Sequence, residues 1–326
     1  MKLAIIILNW NGQELLEKFL PSVTQYSEGA EIYVADNAST DDSIDFVQSQ
    51  FPKVKIIKNT TNGGYAKGYN HALKHVDADV FCLLNSDIEV TPNWLNSIIK
   101  EFETNTSTDI IQPKILDYKN KSHFEYAGAA GGFIDKYGYA YCRGRIFDTI
   151  EKDDGQYNDT SSIFWASGAC FFIKKSTFET LNGFDESYFA HFEEIDLCWR
   201  AFNAGFNTKY VGTSTVYHVG GATLNAINPK KTYLNFRNSL FTLTKNADGF
   251  LFGILVIRLI LDGIAGLKFL YSLKFTHFIA ILKAHFSFYV NLPRLLKERK
   301  QLPKKKTYYQ ITSIVWSYYI RNRCNY

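Results

Sequence analysis

Hydrophobic residues in the first half of the chain follow two alternating patterns, short apolar runs and longer stretches with apolar residues at helical spacing. The apolar runs KLAIIIL, EIYVAD, VKIIKN and DVFCLLN each predict a strand. The stretches between them, QELLEKFLPSVTQY, STDDSIDFVQSQF and GYAKGYNHALKHV, each predict a helix. KLAIIIL has no polar residue after its lysine, which is typical of a strand covered on both faces. This order predicts an α/β domain with a doubly wound, mainly parallel sheet.

The pattern changes after Asp87. TPNWLNSIIKEFE predicts a helix with Pro92 in its first turn, and DIIQPKIL predicts a strand. Residues 117–162 are rich in Gly, Tyr and Asp and predict irregular hairpins and loops. FWASGACFFIKK and TKYVGTSTVYHVGG predict strands on either side of a helix, FEEIDLCWRAFNAGF, that we expect to end on Gly205.

Beyond about Asn225 the chain reads as apolar helices with basic interruptions. We therefore expect one domain over residues 1–225 and a helical region over residues 226–326.

The apolar share of 46% and the charged share of 21% are those of a chain that buries a sizeable core. A net charge of +4 is too small to indicate a nucleic-acid partner, and we expect none.

The five cysteines show no metal-binding spacing, and most lie in or beside apolar runs. This usage is typical of buried thiols in a reducing compartment, so we expect a cytoplasmic protein. MKLAIIILNWNG has one lysine, an apolar run too short for a signal peptide and no small-residue cleavage site. We interpret this segment as the first strand of the folded domain.

Distinctive polar residues follow four predicted strands, in LNWNG, VADNASTDDS, NTTNGGYAKGYN and LLNSD. Polar residues at strand ends are common and on their own indicate turns. In an open α/β sheet, however, ligands bind where the carboxyl ends of the strands meet. We therefore expect a nucleotide near one sheet edge formed by Asn9, Asn11, Asp36, Asn37, Gly63, Gly64, Asn70 and Asp87.

This nucleotide site differs from the common phosphate loops. The first strand leads into Asn-Trp-Asn-Gly, so the glycine fingerprint of dinucleotide sites is missing, and no P-loop is present. A diphosphate would therefore need another source of positive charge. Asp87 could provide this charge by holding a divalent cation, because a cation held by one or two carboxylates can bridge phosphate oxygens.

A second acidic cluster lies in GFDESYFAHFEEIDLCWR. Acidic residues before a helix are favoured by the helix dipole, which accounts for one or two of them. Glu193, Glu194 and Asp196 instead lie among aromatic and aliphatic residues, where burial can raise the pKa of a carboxyl group toward that of a general base. His218 ends another apolar strand, and it is a structural histidine or a ligand.

The motifs LNWNG, DNASTD, NGGYAKGYN, NSD, ASGACFFI, GFDE, FEEIDLCWR and YHVGG occur in an order that resembles the family 2 inverting glycosyltransferases of the GT-A fold. Within that family the chain is most similar to the bacterial rhamnosyltransferase-like enzymes of polysaccharide assembly. The resemblance covers residues 1–237. It implies a nucleotide-sugar half over about residues 1–90 and an acceptor half over about residues 91–225.

The resemblance also implies roles for individual residues. Asp87 and His218 would hold a divalent cation, Mg²⁺ or Mn²⁺. The donor would be a nucleoside diphosphate sugar, with Asp36 on the nucleobase. The pair Glu193–Glu194 would supply the base, with Asp196 in support, and because the family's second residue is normally Asp, which glutamate acts is open. The donor-binding set is Asn9, Asn11, Asp36, Asn37, Gly64, Lys67, Asn70 and Asn85.

The expected reaction moves a rhamnose-like or other hexose onto a glycan or lipid-linked acceptor of a cell-surface polysaccharide. One alternative is a membrane-associated nucleotide-sugar or glycan-binding protein without catalysis. Another is a nucleotidyltransferase, but that class uses a Gly-rich basic loop after the first strand, and NWNGQELL is not one.

The apolar stretch 250–271 raises the question of a membrane. Within it, the twelve Ile, Leu, Val and Phe residues of 250–267 favour insertion by about −4 to −7 kcal/mol, and Arg258 with Asp262 opposes insertion by about +5 to +7 kcal/mol. The near balance favours an interfacial or partly inserted helix over a spanning one, with soluble packing as the alternative. Because the basic cluster 294–306 would meet anionic headgroups, we expect a peripheral or monotopic protein on the inner membrane surface.

Overall fold

A computed structural model of the protein describes residues 1–220, 228–305 and 307–326. The expected boundary between residues 225 and 226 lies outside the described residues. The strands are β1 (Leu3–Asn9), β2 (Glu31–Asp36), β3 (Lys55–Lys58), β4 (Val80–Asn85), β5 (Ile88–Val90), β6 (Thr108–Asp117), β7 (Gly132–Ile134), β8 (Ala140–Cys142), β9 (Arg145–Ile146), β10 (Thr149–Ile150), β11 (Thr160–Ser162), β12 (Cys170–Lys174) and β13 (Asn207–His218). The helices are α1 (Gln13–Tyr26), α2 (Ser43–Gln50), α3 (Gly64–Leu73), α4 (Asn96–Thr104), α5 (Lys175–Thr180), α6 (Glu193–Ala204), α7 (Pro229–Asn246), α8 (Leu251–Tyr271), α9 (Phe275–Gln301) and α10 (Ile314–Tyr319).

The main sheet has two halves of different character. On one side β3, β2, β1 and β4 are parallel neighbours, connected through helices, as the alternating pattern predicts. On the other side β12 is antiparallel to both β4 and β6, and β13 is parallel to β6. The doubly wound parallel arrangement is therefore confirmed for the first half, and the sheet as a whole is mixed.

The central strand β1 explains why its sequence is apolar throughout. Ile5 and Ile7 point into the core on one face of the sheet, with side chains of α1 and α4. Ala4 and Ile6 point into the core on the other face, with side chains of α3 and α6. Because successive residues of a strand face opposite sides, a strand covered on both sides needs an unbroken apolar run.

Two sequence expectations differ from the structure in their bounds. Helix α4 begins at Asn96, and Pro92 lies in the turn before it. The strand expected over FWASGACFFIKK is limited to Cys170–Lys174, since the residues before it form a turn. The segment 117–162 does form hairpins, which assemble into a small sheet in the order β10-β9-β8-β7. Helix α6 ends at Ala204, with Gly205 left-handed at φ +92° as its C-cap, as expected.

The C-terminal helices pack against the first part of the chain and against one another. Helix α7 contacts α6 and α9, and α8 forms a hairpin with α9 through a short turn. Arg258 and Asp262 both face the protein interior, where they pair with each other at 2.8 Å. Over the residues that the structure describes, no helix has the length and apolar character needed to cross a membrane.

Candidate active site

Strand register brings the predicted polar residues to one edge of the sheet. Asn9 at the end of β1 is the direct neighbour of Asp36 at the end of β2. Asn85 at the end of β4 pairs with Leu8 on the other side of β1. Asp87 follows two residues later, just before β5. The carboxyl ends of the parallel strands therefore meet at one level, which is where such sheets bind ligands.

Asp36 has one carboxylate oxygen in use and one free. Its Oδ2 accepts a hydrogen bond from the Ser39 backbone N–H at 3.2 Å. Its Oδ1 is buried and has no partner among the described residues. A buried oxygen without a partner is costly, so this atom is available to accept a hydrogen bond from a ligand.

Asn9 and Asn11 connect the ends of β1 and β2. Asn9 Nδ2 donates to the hydroxyls of Ser39 and Ser43, at 3.2 and 3.0 Å. Asn11 adopts a left-handed φ of 48°, and its side chain accepts a hydrogen bond from the Thr40 N–H at 2.7 Å. Between the two, Trp10 is about half exposed beside the edge. The two asparagines thus position the loops at this edge of the sheet. Trp10 offers an exposed aromatic surface beside them, which sequence analysis did not identify.

Asn37 is occupied by hydrogen bonds within the protein. Its Nδ2 donates to Asn62 and to the Gly64 carbonyl, both at 3.0 Å, and its Oδ1 accepts from Asn59 at 3.0 Å. It therefore connects β2 to the start of α3. Of the expected donor-binding residues nearby, Lys67 is exposed on α3 and Asn85 is partly exposed at the sheet edge.

Gly64 and Asn70 join α3 to the segment before α6. Gly64 has φ +77°, and a methyl group there would lie 2.1 Å from the Phe189 carbonyl oxygen, so this position requires glycine. Tyr65 N–H donates to the same carbonyl at 2.9 Å. The Asn70 amide donates to the Phe184 carbonyl and accepts from its N–H. These two predicted ligand residues make their close contacts with the protein itself.

Asp87 and His218 are adjacent at the end of β13. Asp87 Oδ1 lies 3.2 Å from His218 Nε2, and Glu125 Oε1 lies 3.3 Å from the opposite ring nitrogen. Burial alone would lower the pKa of His218, but the carboxylates of Glu125 and Asp87 raise it to about 10. All three side chains are buried. Glu125 was missed by sequence analysis, because it lies in an irregular segment with no motif around it.

The Asp87–His218 pair fits a cation that takes only part of its ligands from the protein. No group of three or more His, Cys, Asp or Glu side chains forms a complete cation site within the described parts of the chain. Two neighbouring donors, a carboxylate oxygen and an imidazole nitrogen that releases its proton when the ion binds, suit a divalent ion whose other ligands are substrate phosphates and water. The pair therefore suits an open site better than a closed structural one.

Glu193 and Glu194 begin α6, after two residues with left-handed backbone. His191 and Phe192 have φ of 68° and 71°, which turns the chain sharply into the helix. Each glutamate has a buried Oε2 without a partner among the described residues. Burial, and then the neighbouring Glu194, raise the pKa of Glu193 well above its usual value. Burial raises the pKa of Glu194 to about 7.

The two glutamates differ in access. Glu193 is 4% exposed, whereas Glu194 is partly exposed. A methyl group on Gly168 would lie 3.2 Å from the Tyr65 hydroxyl and 3.7 Å from the Glu194 carboxyl carbon. The Tyr65 hydroxyl donates to the Gly168 carbonyl at 2.8 Å. The Glu194 carboxyl group therefore lies next to Gly168, whereas Glu193 is more buried.

The segment 168–169 links the two acidic clusters. Glu194 lies beside Gly168, and the Asn85 N–H donates to the Ala169 carbonyl at 2.9 Å. The strand end that carries Asp87 and the helix start that carries Glu194 thus flank one short stretch of backbone. The structure therefore brings together residues that are about a hundred positions apart in the sequence.

Asp196 is not free to react. Its Oδ2 accepts from Arg200 at 2.9 Å, and its Oδ1 accepts from Asn246 at 2.8 Å and lies 2.9 Å from Lys245 Nζ. Lys245 also pairs with Asp185 at 2.6 Å. Burial alone would raise the pKa of Asp185, but Lys245 lowers it to about 2. This buried ion network joins α6 to α7 and so stabilises the helix that carries the two glutamates.

The sequence is similar to one protein family and to several known proteins. The family profile described as Glycosyl transferase family 2 matches residues 4–181. The N-acetylglucosaminyl-diphospho-decaprenol L-rhamnosyltransferase of Mycobacterium tuberculosis is 24% identical over 233 residues, which cover 66% of this chain and 75% of that protein. Rhamnosyltransferase WbbL of Escherichia coli K12 is 26% identical over 223 residues, which cover 66% of this chain and 82% of that protein.

Solved structures share the fold. GalNAc-T7 with UDP, GalNAc and Mn²⁺ aligns with a TM-score of 0.59 at 15% identity, over 76% of this chain but only 48% of that one. The mannosyltransferase PcManGT of Pyrobaculum calidifontis, in complex with GDP-Man and Mn²⁺, aligns with a TM-score of 0.54 at 14% identity. That alignment covers 90% of this chain and 75% of the other. These similarities assign the GT-A type of α/β fold.

Proposed function

The chain belongs to glycosyl transferase family 2, and we propose that it transfers a rhamnose-like or other hexose from a nucleoside diphosphate sugar to a glycan or lipid-linked acceptor. The product belongs to a cell-surface polysaccharide. The names of its relatives support this choice, since one is a rhamnosyltransferase acting on an N-acetylglucosaminyl-diphospho-decaprenol and another is a rhamnosyltransferase.

One observation carries the proposal. The strand end bearing Asn85 and Asp87 and the helix start bearing Glu194 flank the same backbone segment, 168–169. A sugar transfer needs a diphosphate site and a proton acceptor on either side of the anomeric carbon. The juxtaposition of a cation-binding carboxylate with a carboxyl group of raised pKa meets both needs in one place.

The nucleotide lies along the carboxyl edge of β1, β2 and β4. Asp36 Oδ1 accepts a hydrogen bond from the nucleobase, which gives this buried oxygen its partner. Lys67, exposed on α3, and Asn85 face the rest of the donor. Asn9, Asn11, Asn37, Gly64 and Asn70 act one step further back, because their hydrogen bonds and close contacts position the loops of the donor site.

Asp87 and His218 would hold the cofactor, a divalent cation such as Mg²⁺ or Mn²⁺. When bound, the cation supplies positive charge to the leaving diphosphate. The presence of Mn²⁺ in crystals of proteins with this fold supports the choice of ion. Glu125, on the far side of the His218 ring, orients the imidazole so that Nε2 faces Asp87.

Glu194 is the general base. Glu194 is the more exposed residue of the pair, and a pKa of about 7 suits proton abstraction near neutral pH. It takes the proton of the acceptor hydroxyl as the hydroxyl oxygen bonds to the anomeric carbon and the diphosphate departs from the opposite face. The configuration at that carbon therefore inverts. Glu193 is more buried, and burial together with Glu194 raises its pKa well above the usual value, so Glu193 is not the proton acceptor.

The catalytic unit comprises residues 1–225, with the donor half over about residues 1–90 and the acceptor half over about residues 91–225. The protein works at the cytoplasmic face of the cell membrane. A relative whose acceptor is carried on decaprenol supports this location, since the sugar would be added where such a carrier is anchored.

A donor screen tests the function. The purified full chain is mixed with Mn²⁺, a lipid-linked N-acetylglucosamine acceptor and each of a panel of nucleoside diphosphate sugars, and release of the nucleoside diphosphate is measured. We expect acceptor-dependent release with one or a few hexose donors. Binding of a donor without any release, across the panel and with several acceptors, would identify a binding protein without catalysis and would contradict the proposal.

A further inference from the structure

The hairpin of α8 and α9 carries a long apolar surface that no described residue covers. On α8 the exposed residues Ile257, Ile260, Ile264, Leu267 and Tyr271 recur at intervals of three and four. On α9 the same spacing continues with Phe275, Ile279, Leu282, Phe286 and Val290. We call these ten residues the outer face. Such spacing places them along one side of each helix.

The opposite side of each helix is the one that packs on the protein. On α8 it carries Ile254, Arg258, Asp262 and Gly266, all buried. Arg258 donates to the Tyr137 carbonyl at 3.0 Å and to the Ser239 hydroxyl at 2.6 Å, and Asp262 accepts from the Tyr139 hydroxyl at 2.7 Å. The two charges in the middle of α8 are therefore satisfied inside the protein, and the outer face of α8 carries no charge between Phe252 and Leu267.

This arrangement changes the free-energy balance for membrane binding. An average over the whole helix counts Arg258 and Asp262 against insertion, at about +2.5 to +3.5 kcal/mol each. Because both side chains stay in the protein when the outer face meets a lipid surface, that cost is not incurred. Only the apolar side of α8 would enter the interface, which is the behaviour of an amphipathic interfacial helix.

The charge of the surrounding chain favours an anionic partner. Residues 249–326 contain thirteen Lys and Arg against two Asp and Glu, a net charge of +11. Since the whole chain is +4, residues 1–248 carry −7. Basic residues lie close to the outer face, with Lys268 and Lys274 exposed at the turn of the hairpin and Lys283 exposed on α9. Each basic residue near an anionic leaflet contributes about 1 kcal/mol.

We propose that the outer face docks on the surface of an anionic lipid bilayer, with the hairpin lying in the plane of the interface. A second copy of the chain fits less well, because a symmetric dimer would bring two regions of charge +11 against each other. The inference rests on the proposed function only for its purpose, which is to hold the active site beside a lipid-linked acceptor.

The test compares two double variants of the full chain by flotation with vesicles. Ile260→Glu/Ile264→Glu places two charges on the outer face. Gln48→Glu/Gln50→Glu places the same two charges on exposed positions of α2, so the net charge of the two variants is equal. The vesicles are phosphatidylcholine alone or phosphatidylcholine mixed with phosphatidylglycerol, each at low and high salt. Circular dichroism of each variant checks that the fold is retained.

We expect the wild type and the α2 variant to float with the mixed vesicles, less so at high salt, and only weakly with phosphatidylcholine alone. The outer-face variant should lose about tenfold or more of its partition onto mixed vesicles, because the apolar area it would bury is replaced by charge. Equal flotation of all three proteins would overturn the proposal. A wild-type dimer in sedimentation that the outer-face variant alone dissociates would identify a self-interface and would also overturn it.

The proposed function can fail independently of this surface. The donor screen contains no vesicles, so the outer-face variant should release nucleoside diphosphate in that assay at the wild-type rate. No activity in the donor screen together with normal flotation would therefore contradict the proposed transferase function. It would leave the proposed lipid-binding role of the outer face unchanged.

Discussion

Asn238 Nδ2 donates a hydrogen bond to the carbonyl of His191 at 2.7 Å and a second to the carbonyl of Ala190 at 3.0 Å. Asn238 is fully buried on α7, and its Oδ1 accepts from Arg237 at 2.8 Å. The residue it holds, His191, has a left-handed backbone and lies just before Glu193 and Glu194. Helix α7 therefore holds the turn that positions the side chains of Glu193 and Glu194.

The change Asn238→Ala should impair catalysis through position. It leaves two carbonyls without their donor, at a cost of about 1–3 kcal/mol for a buried unsatisfied group, so the turn relaxes and Glu194 loses its alignment. We expect kcat to fall while the KM for the donor changes little. The measurement is steady-state kinetics alongside urea unfolding. A control, Asn291→Ala on α9, removes an amide that donates to the Ser287 carbonyl of the same helix, and this variant should keep kcat. A wild-type kcat in Asn238→Ala would show that Asn238 does not position the glutamates.

The change Asp87→Asn should abolish transfer, because the diphosphate site loses its carboxylate and His218 loses its partner at 3.2 Å. We expect no rescue by excess Mn²⁺ and loss of Mn²⁺-dependent donor binding in calorimetry. Glu89→Gln on β5 is the matched control, since Glu89 is a nearby carboxylate whose partner is the exposed Lys121. Wild-type turnover in the presence of EDTA, or in Asp87→Asn, would be incompatible with a metal at this position.

The change Asp196→Asn should destabilise the fold. It weakens a buried network in which Arg200 and Lys245 face the same carboxylate, and removing one partner of a buried ion pair typically costs about 3–5 kcal/mol. Urea unfolding monitored by circular dichroism measures the loss. Asp154→Asn removes an exposed partner of Lys152 and should change the free energy of unfolding by no more than about 1 kcal/mol. Equal stability of the two variants would show that the network contributes little.

The sheet edge could be predicted from the sequence because strand order and strand ends are both visible in it. Once β1, β2 and β4 are identified as parallel neighbours, Asn9, Asp36 and Asn85 must reach the same level, and the register confirms that they do. What the sequence does not reveal is whether a polar side chain at that edge faces a ligand or the protein. Asn37 makes its hydrogen bonds within the protein, whereas Asp36 Oδ1 has no partner in the described part of the chain.

Other features could not be predicted because they depend on packing between distant segments. Glu125 lies in an irregular segment with neither helical nor strand periodicity, so its position beside His218 has no local signal. The i,i+4 spacing of Arg258 and Asp262 shows that they share a side of α8, but not that this side faces inward. A hydropathy average treats both charges as exposed to lipid, and so it underestimates how apolar the outer face is.

The pH dependence of the reaction follows from Glu194. Its folded-state pKa is raised to about 7, mainly by burial, and a general base must be ionised to act. Activity should therefore rise with pH through about 7 and level off above it. This limb should disappear in Glu194→Gln, whose residual rate should be flat over the same range. A wild-type rate that does not change between pH 6 and 8 would contradict the assignment of a base with this pKa.

The most direct test of the proposed mechanism compares Glu194→Gln with Glu193→Gln in one assay of acceptor-dependent nucleoside diphosphate release, with donor affinity measured separately. Both changes are isosteric and neutral, and the two residues are neighbours, so each variant controls for the other. We predict that Glu194→Gln loses about 10²–10⁴ in kcat with donor binding retained, whereas Glu193→Gln keeps most of its rate. Wild-type turnover in Glu194→Gln would contradict the assignment of Glu194 as the general base.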